Sequence, residues 1–343
     1  MRETSSTRSR VTESEGNRDM TTKPEHSVDP WRCTLDDFHT ADPAMRHCLE
    51  LARLAATTEL PVLILGETGT GKTLLARAIH NSSARAGHPF IAFNAAALSD
   101  TLLDSQLFGH ERGAFTGAER RVKGKFELAD RGTLFLDEIA DMSPTAQVKI
   151  LRAVEYGEFE RLGSEALHVA DVRLISATHW ALPRFTEADR FRRDLFYRIS
   201  GLTITLPPLR ERPGDLPALI AAEIELACRQ QHKPMIGVET RAADRLFGYS
   251  WPGNLRELNR VIHSAVALSS GDVIAGRVID LLLEAPNLRP PGAANGDREP
   301  LTLQVAMRHH IHDVLHRMGG NKRRAARALG LSRSTLDRKL SSP

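Results

Sequence analysis

Gly66-Glu67-Thr68-Gly69-Thr70-Gly71-Lys72-Thr73 is a complete GxxxxGK[ST] loop, and its neighbours restrict what the surrounding chain can be. It directly follows Val62-Leu63-Ile64-Leu65, an apolar run of strand length, and precedes Leu74 to His80, whose Leu, Ala and Ile content suits a helix. A strand, a glycine loop and a helix in that order aim backbone N–H groups and a positive helix end at phosphate. Lys72 would reach the β and γ phosphates of a nucleotide, and Thr73 would ligate magnesium. From about 31 to 214, apolar strand-like runs alternate with helical stretches, the pattern of an α/β unit with a parallel sheet covered by helices.

Further along, Gly132-Thr133-Leu134-Phe135-Leu136-Asp137-Glu138 reads as a buried strand tipped by two acids, a Walker B pattern. Asp137 would hold magnesium, usually through water, and Glu138 would polarise the water that attacks the γ phosphate. Between these two motifs lies Gly113-Ala114-Phe115-Thr116-Gly117-Ala118, an uncharged hexapeptide with glycines on either side of one aromatic. A segment flanked by nucleotide-responsive elements is where phosphate chemistry can be converted into displacement. The glycines permit large backbone changes, and Phe115 is a plausible anchor for a partner.

With Leu107-Phe108-Gly109-His110-Glu111 before it and Leu206-Pro207-Pro208-Leu209-Arg210-Glu211-Arg212 after it, this hexapeptide resembles the hallmark of one family. That family is the AAA+ ATPases that activate sigma-54 RNA polymerase, the bacterial enhancer-binding proteins, and the resemblance runs from about Thr34 to Leu340. It implies that the hexapeptide tips a loop that contacts the sigma factor, with Phe115 making the contact, Thr116 supporting it, and the loop moving with nucleotide state. It implies that Asn94 pairs with the catalytic Glu138 and links it to that loop. Thr178 and His179 match the γ-phosphate sensor, although many members carry asparagine where His179 stands, and a structural hydrogen-bonding role for this histidine stays open. Arg192 and Arg198 match arginine fingers delivered across a subunit boundary, and Arg256 matches the residue that touches nucleotide from a helical lid. The implied machine is an ATP- and Mg2+-dependent ring, expected to be a hexamer, that remodels the closed sigma-54 promoter complex.

Composition bounds this reading. The 343 residues are 41% hydrophobic and 26% charged, enough for two or three small domains. No apolar run reaches the roughly 18 residues that span a bilayer, and no signal peptide is recognisable. Cys33, Cys48 and Cys228 have no metal-ligand spacing and suggest reduced thiols in the cytoplasm. Residues 1–30 read as a disordered tail too short to fold a sensor domain. The α/β ATPase region is expected over 31–214, a helical lid over 215–285, and a linker over 286–300, where Pro and Gly gather.

Residues 301–343 outline an all-α helix-turn-helix. Met307, Ile311, Val314, Leu315 and Met318 recur at helical spacing, for internal packing or a dimer seam. From Arg317 to Leu340 eight Lys or Arg stand against one acid, a formal +7 in a chain of +3 overall, which concentrates phosphate contacts at this end. Gly319-Gly320-Asn321-Lys322 and Leu329 to Leu336 resemble the Fis-type DNA-binding domain. That resemblance puts Arg333, Ser334, Thr335 and Arg338 on the recognition helix, reading double-stranded DNA at upstream sites. Asp337, where tyrosine is common, leaves the sequence preference open. Two rivals remain at this point: a DNA-remodelling AAA+ protein such as an initiator or helicase loader, and a DNA-binding regulator that holds ATP only structurally.

Overall fold

In the computed structural model the described residues are 32–96, 99–180, 182, 186, 190–284 and 322. The chain divides into two compact units, Met1–Ala285 and Pro286–Pro343. Of the second only Lys322, helical and exposed, is described. The expectations for the 1–30 tail, the 286–300 linker and the helix-turn-helix with Arg333, Ser334, Thr335 and Arg338 therefore lie outside the described residues.

A five-stranded parallel sheet organises the first unit, in the spatial order Phe90–Asn94, Thr133–Asp137, Arg173–Thr178, Val62–Leu65, Leu202–Thr205. The three central strands are buried almost throughout, as expected where helices cover both faces, while the edge strand Leu202–Thr205 alternates apolar and polar residues. Alternate residues feed two cores. Leu63, Leu134, Leu136 and Leu174 pack on one side with Phe108, Phe126 and Ile150, while Val62, Ile64, Phe135 and Ile175 pack on the other with Leu49, Leu75 and Ile79. The side-chain period of two along a strand produces this division.

The helices around the sheet begin where local chemistry predicts. Asp42 Oδ1 accepts the Met45 N–H at 2.9 Å ahead of the helix Pro43–Ala56, and Ser143 Oγ accepts the Ala146 N–H at 3.3 Å ahead of Pro144–Tyr156. Both helices carry proline at the first position, where its missing N–H costs nothing. Beyond the last sheet strand the chain becomes mainly helical, with helices Leu216–Gln230, Thr240–Gly248, Asn254–Leu268 and Gly276–Glu284 around a third core built on Trp251, Leu258 and Ile262. Among the described residues no helix is long and apolar enough to cross a membrane.

Parallel strands with matched register bring their carboxyl ends into one row. Leu65 stands opposite Thr178 on one side and Thr205 on the other, and Asn94 stands opposite Asp137. Open α/β sheets place ligands at this edge.

Candidate nucleotide and contact-loop site

The phosphate loop leaves Leu65 and turns back over the strand end into the helix Lys72–Asn81. Gly69 must be glycine there: its φ is +82°, and a Cβ would lie 2.3 Å from the Gly253 carbonyl. The loop is in contact with the lid helix Asn254–Leu268, whose Leu255 N–H donates to Gly69 O at 2.9 Å. Lys72 Nζ donates to the loop's own Gly66 and Glu67 carbonyls, at 2.8 and 3.2 Å. Burial pushes its pKa down, Glu138 and Asp137 oppose that shift, and Arg256 adds to it. A buried cation at the start of a helix fits a phosphate oxygen. Thr68 and Thr73 are exposed at the same loop, while Thr70 is buried, its hydroxyl donating to Glu67 O.

Asp137 ends its strand half-buried, and burial raises its pKa, as does Glu138, with Lys72 opposing. A carboxylate destabilised by burial gains most from a nearby cation. Among the described residues no group of three or more His, Cys, Asp or Glu is placed to hold a metal. Mg2+ needs less from a protein, since one or two oxygen ligands suffice when substrate phosphates and water supply the rest. The Asp137 carboxylate and the Thr73 hydroxyl are oxygen donors of that type.

Glu138 departs from expectation. Its Oε2 lies 2.7 Å from His179 Nδ1 and accepts the His179 N–H at 3.3 Å. Asn94, expected to pair with it, instead turns its side-chain oxygen back to the Ala96 N–H at 2.8 Å. That short local bond closes a turn directly after the edge strand, which an asparagine does readily. Thr178 is fully buried at the strand end, and its hydroxyl accepts the Trp180 N–H at 3.2 Å. Arg256 is exposed on the lid helix, close enough for its charge to be felt at both Lys72 and Asp137.

The expected finger residues lie on and beside the helix Arg193–Ile199. Arg192 forms a two-bond pair with Asp194, at 3.0 and 2.6 Å, and that bond holds the guanidinium pKa up. Arg198 donates to Val154 O and Glu155 O, capping the carboxyl end of the helix Pro144–Tyr156, where a cation is favoured.

The hexapeptide Gly113–Ala118 sits on a hairpin base where Gly109–His110 pairs antiparallel with Val122–Lys123. Gly113 N–H donates to Ala118 O at 2.8 Å, and Ala118 N–H to Phe115 O at 2.9 Å, so the loop closes on itself. Gly113 and Gly117 take φ of +84° and +98° with open space around them. Phe115 is half-buried, edge-on to His110 with ring centroids 5.0 Å apart, and Thr116 is exposed. Ala114 packs against Gly163, in the turn of a second hairpin formed by Glu158–Glu160 and Leu167–Val169.

The sequence by itself gives no role to Arg161, Arg210, Asn254 or Asp215, and places Glu67 in the phosphate loop without its partners. Arg161 is buried between Glu111, at 2.8 Å, and Glu127, at 2.6 Å, tying the second hairpin to the base of the first. Glu67 takes two bonds from Arg210, at 2.8 and 2.7 Å, which lower its pKa. Asn254 donates to Glu67 and to Thr68 O, and its own oxygen accepts the Leu209 N–H. A cavity of about 270 Å3 opens beside Thr70 and Gly71, lined by Phe38, Leu75, Leu206, Leu219 and Leu255, with Arg212 and Asp215 at its polar side. Asp215 is fixed by the Thr40 hydroxyl and the Ala41 N–H. For Arg210 and Arg212 the available signal was the motif Leu206–Arg212, which names them but not their partners.

A parallel sheet with a phosphate loop at its carboxyl edge, an acid-tipped neighbouring strand and a helical lid resting on that loop define a AAA+ ATPase. Comparison with known proteins agrees. Residues 38–205 match the Sigma-54 interaction domain, 210–290 the AAA+ ATPase lid domain, and 308–341 the Bacterial regulatory protein, Fis family. The transcriptional regulatory protein ZraR of Klebsiella oxytoca is 46% identical over 299 residues, which cover 87% of this chain and 67% of that protein. Brucella abortus NtrX in complex with ADP superposes with a TM-score of 0.66 at 31% identity, covering 88% of this chain and 68% of that one. The same protein in complex with ATP gives 0.65 at 30% identity, covering 89% and 68%. The chain belongs to the sigma-54-dependent transcriptional activators, with an AAA+ ATPase core, its lid and a Fis-type helix-turn-helix.

Proposed function

We propose that this chain hydrolyses ATP in a ring, expected to be a hexamer, and uses the motion of its contact loop to remodel the closed sigma-54 polymerase complex at promoters. One observation carries the reading: the Gly113–Ala118 loop projects from a hairpin base that lies in the chain between the phosphate loop and the Asp137 strand, with the half-buried Phe115 ring edge-on to His110. The phosphate loop 66–73 would cradle the nucleotide phosphates, Lys72 would meet the terminal ones, and the cavity beside Thr70 would take the base and ribose. Mg2+, held by Thr73 and Asp137, would neutralise charge on the phosphates.

Glu138 would orient the attacking water, and Thr178 and Arg256 would sense the phosphate chain from the sheet and the lid. Arg192 and Arg198 pair within their own subunit through exposed contacts that a neighbour's nucleotide could replace. A guanidinium brought to the γ phosphate accelerates transfer roughly a thousandfold or more, so hydrolysis would depend on assembly. The Fis-type end would tether dimers to upstream double-stranded DNA through Arg333, Ser334, Thr335 and Arg338, raising the local concentration of the ring at the promoter.

The test is promoter opening by purified sigma-54 polymerase on premelted and duplex templates, comparing wild type with Thr116→Ala and Glu138→Ala. ATP-dependent opening lost in both variants, while Thr116→Ala still hydrolyses ATP, is the expected result. Full opening by Thr116→Ala, or no response from sigma-54 polymerase, overturns the reading.

A further inference from the structure

The Glu138 carboxylate is committed to a partner that its motif does not announce. A carboxylate only accepts hydrogen bonds, so in the 2.7 Å contact with Oε2 it is His179 Nδ1 that carries the proton, and the same oxygen also takes the His179 backbone N–H. The surroundings hold this arrangement in place. Trp180 lies against the imidazole at 4.5 Å, and its own Nε1 donates to Asp141 Oδ1 at 3.1 Å. Glu138 itself adopts a left-handed backbone, φ 54° and ψ 46°, which a glutamate keeps only where neighbouring structure enforces it. His179 follows directly on Thr178, the register partner of Leu65, and Leu65 runs straight into the phosphate loop.

We propose that His179 is a positioning residue with two alternative acceptors. Without ATP it holds Glu138; with ATP bound it gives its N–H groups to the terminal phosphate, and Glu138 is released to orient water. The proposal rests on the ATPase reading and adds to it the element that keeps the site idle. One Nδ1–H serves one acceptor at a time, so the two states exclude each other. A Glu138 carboxylate taken up by the two N–H groups of His179 is not free to orient water, so the held state is an idle one. A terminal phosphate carries more charge than a carboxylate and competes for the same donors. ADP lacks that group, so the held state returns after hydrolysis.

A double-mutant cycle on nucleotide affinity tests the pair without requiring turnover. Binding of a fluorescent non-hydrolysable ATP analogue and of fluorescent ADP, both with Mg2+, is measured for wild type, Glu138→Gln, His179→Ala and the double variant. Glu138→Gln frees His179, and it is expected to raise the ATP-analogue to ADP affinity ratio at least fivefold in the wild-type background and less than twofold in His179→Ala. The charge removed from Glu138 is common to both backgrounds, so only the pair contributes to the difference. His179→Asn, which keeps an N–H donor, is expected to restore a more than threefold effect. Retained ADP binding shows that each variant is folded.

Trp180 supplies a second readout. Its emission, isolated by subtracting a Trp180→Phe variant, is expected to differ between the ADP and ATP-analogue states and to lose that difference in His179→Ala. Equal ratio changes in both backgrounds, or identical Trp180 spectra in the two states, overturn the proposal. Wild type that binds neither nucleotide overturns the ATPase reading itself.

Discussion

Asn254→Ala is expected to loosen the lid from the phosphate loop more than any other single truncation at that junction. Asn254 is fully buried and left-handed, with φ 52°. Its oxygen is the acceptor for the buried Leu209 N–H at 2.7 Å, and its amide donates to Glu67 Oε2 at 3.2 Å and Thr68 O at 3.1 Å. Stranding the Leu209 N–H costs about 1–3 kcal/mol, and the two longer bonds add about 1 kcal/mol together. Alanine in the left-handed region adds about 1 kcal/mol, a strain that asparagine bears more easily. The total is about 3–5 kcal/mol, and with an m-value near 3 kcal/mol/M the urea midpoint falls by about 1 M or more. Trp251, almost fully buried three residues away, reports the transition by its emission in a Trp31→Phe, Trp180→Phe background. Asn254→Gly removes the same bonds without the backbone strain, so it should lose about 1 kcal/mol less than alanine. A loss below about 1 kcal/mol for Asn254→Ala, or equal losses for glycine and alanine, refutes the accounting.

Two further outcomes follow from the same geometry. Burial drives the His80 pKa down to about 4 from an ordinary 6.5, so the unfolded chain takes up a proton that the folded one refuses. Stability from this residue is complete above about pH 6.5 and is lost as pH falls toward 4, by about 3 kcal/mol at most; His80→Leu should flatten that acid limb in urea titrations, and an unchanged limb counts against it. Arg192→Ala and Arg198→Ala should each reduce ATP turnover by about a hundredfold or more while leaving ADP affinity within twofold, because the groups they would engage lie on a neighbouring subunit. Mixing either variant with Glu138→Gln subunits should recover part of the turnover if a wild-type finger then faces an intact Glu138, and no recovery at any ratio argues against delivery across the boundary.

Local chemistry was legible in the sequence; the partners were not. The phosphate loop, the acid-tipped strand and the glycine-flanked Phe115 are short contiguous patterns, and a strand-loop-helix order alone sets where their groups point. The parallel sheet followed from the same alternation of apolar runs and helices. The choice of partner for Glu138 did not, because two donors, Asn94 and His179, end strands on opposite sides of the Asp137 strand, and side-chain torsions decide which one reaches it. The Glu67–Asn254 bond spans 187 residues of chain and the Arg161–Glu111 pair spans 50, separations at which no spacing rule operates. Charge patterning could flag Arg161 only as one basic residue among many. Its burial between two carboxylates is what gives it a structural task, since a cation there is tolerable only when paired.

These partners also decide how a change at the nucleotide could reach Phe115. From Asn94, opposite Asp137 in register, the chain runs through the helix Asp100–Phe108 directly into Gly109–His110 and the contact loop. The end of that helix is anchored, with Phe108 stacked on Phe126 at 5.5 Å and both rings set against Phe159 of the second hairpin. Arg161, Glu111 and Glu127 fasten the two hairpins from the polar side. A shift entering at the edge strand therefore meets a stiff helix and a stiff base before the first compliant point, which is Gly113. Stiffness up to a glycine pivot delivers displacement to the tip instead of dissipating it along the path. The tip itself is lightly held, by the His110 ring and the packing of Ala114 on Gly163. The second hairpin thus helps to set the resting position of the loop, and bulk added at Gly163, where a Cβ would lie 2.8 Å from the Ala114 Cβ, is expected to displace it with no change at the phosphate site.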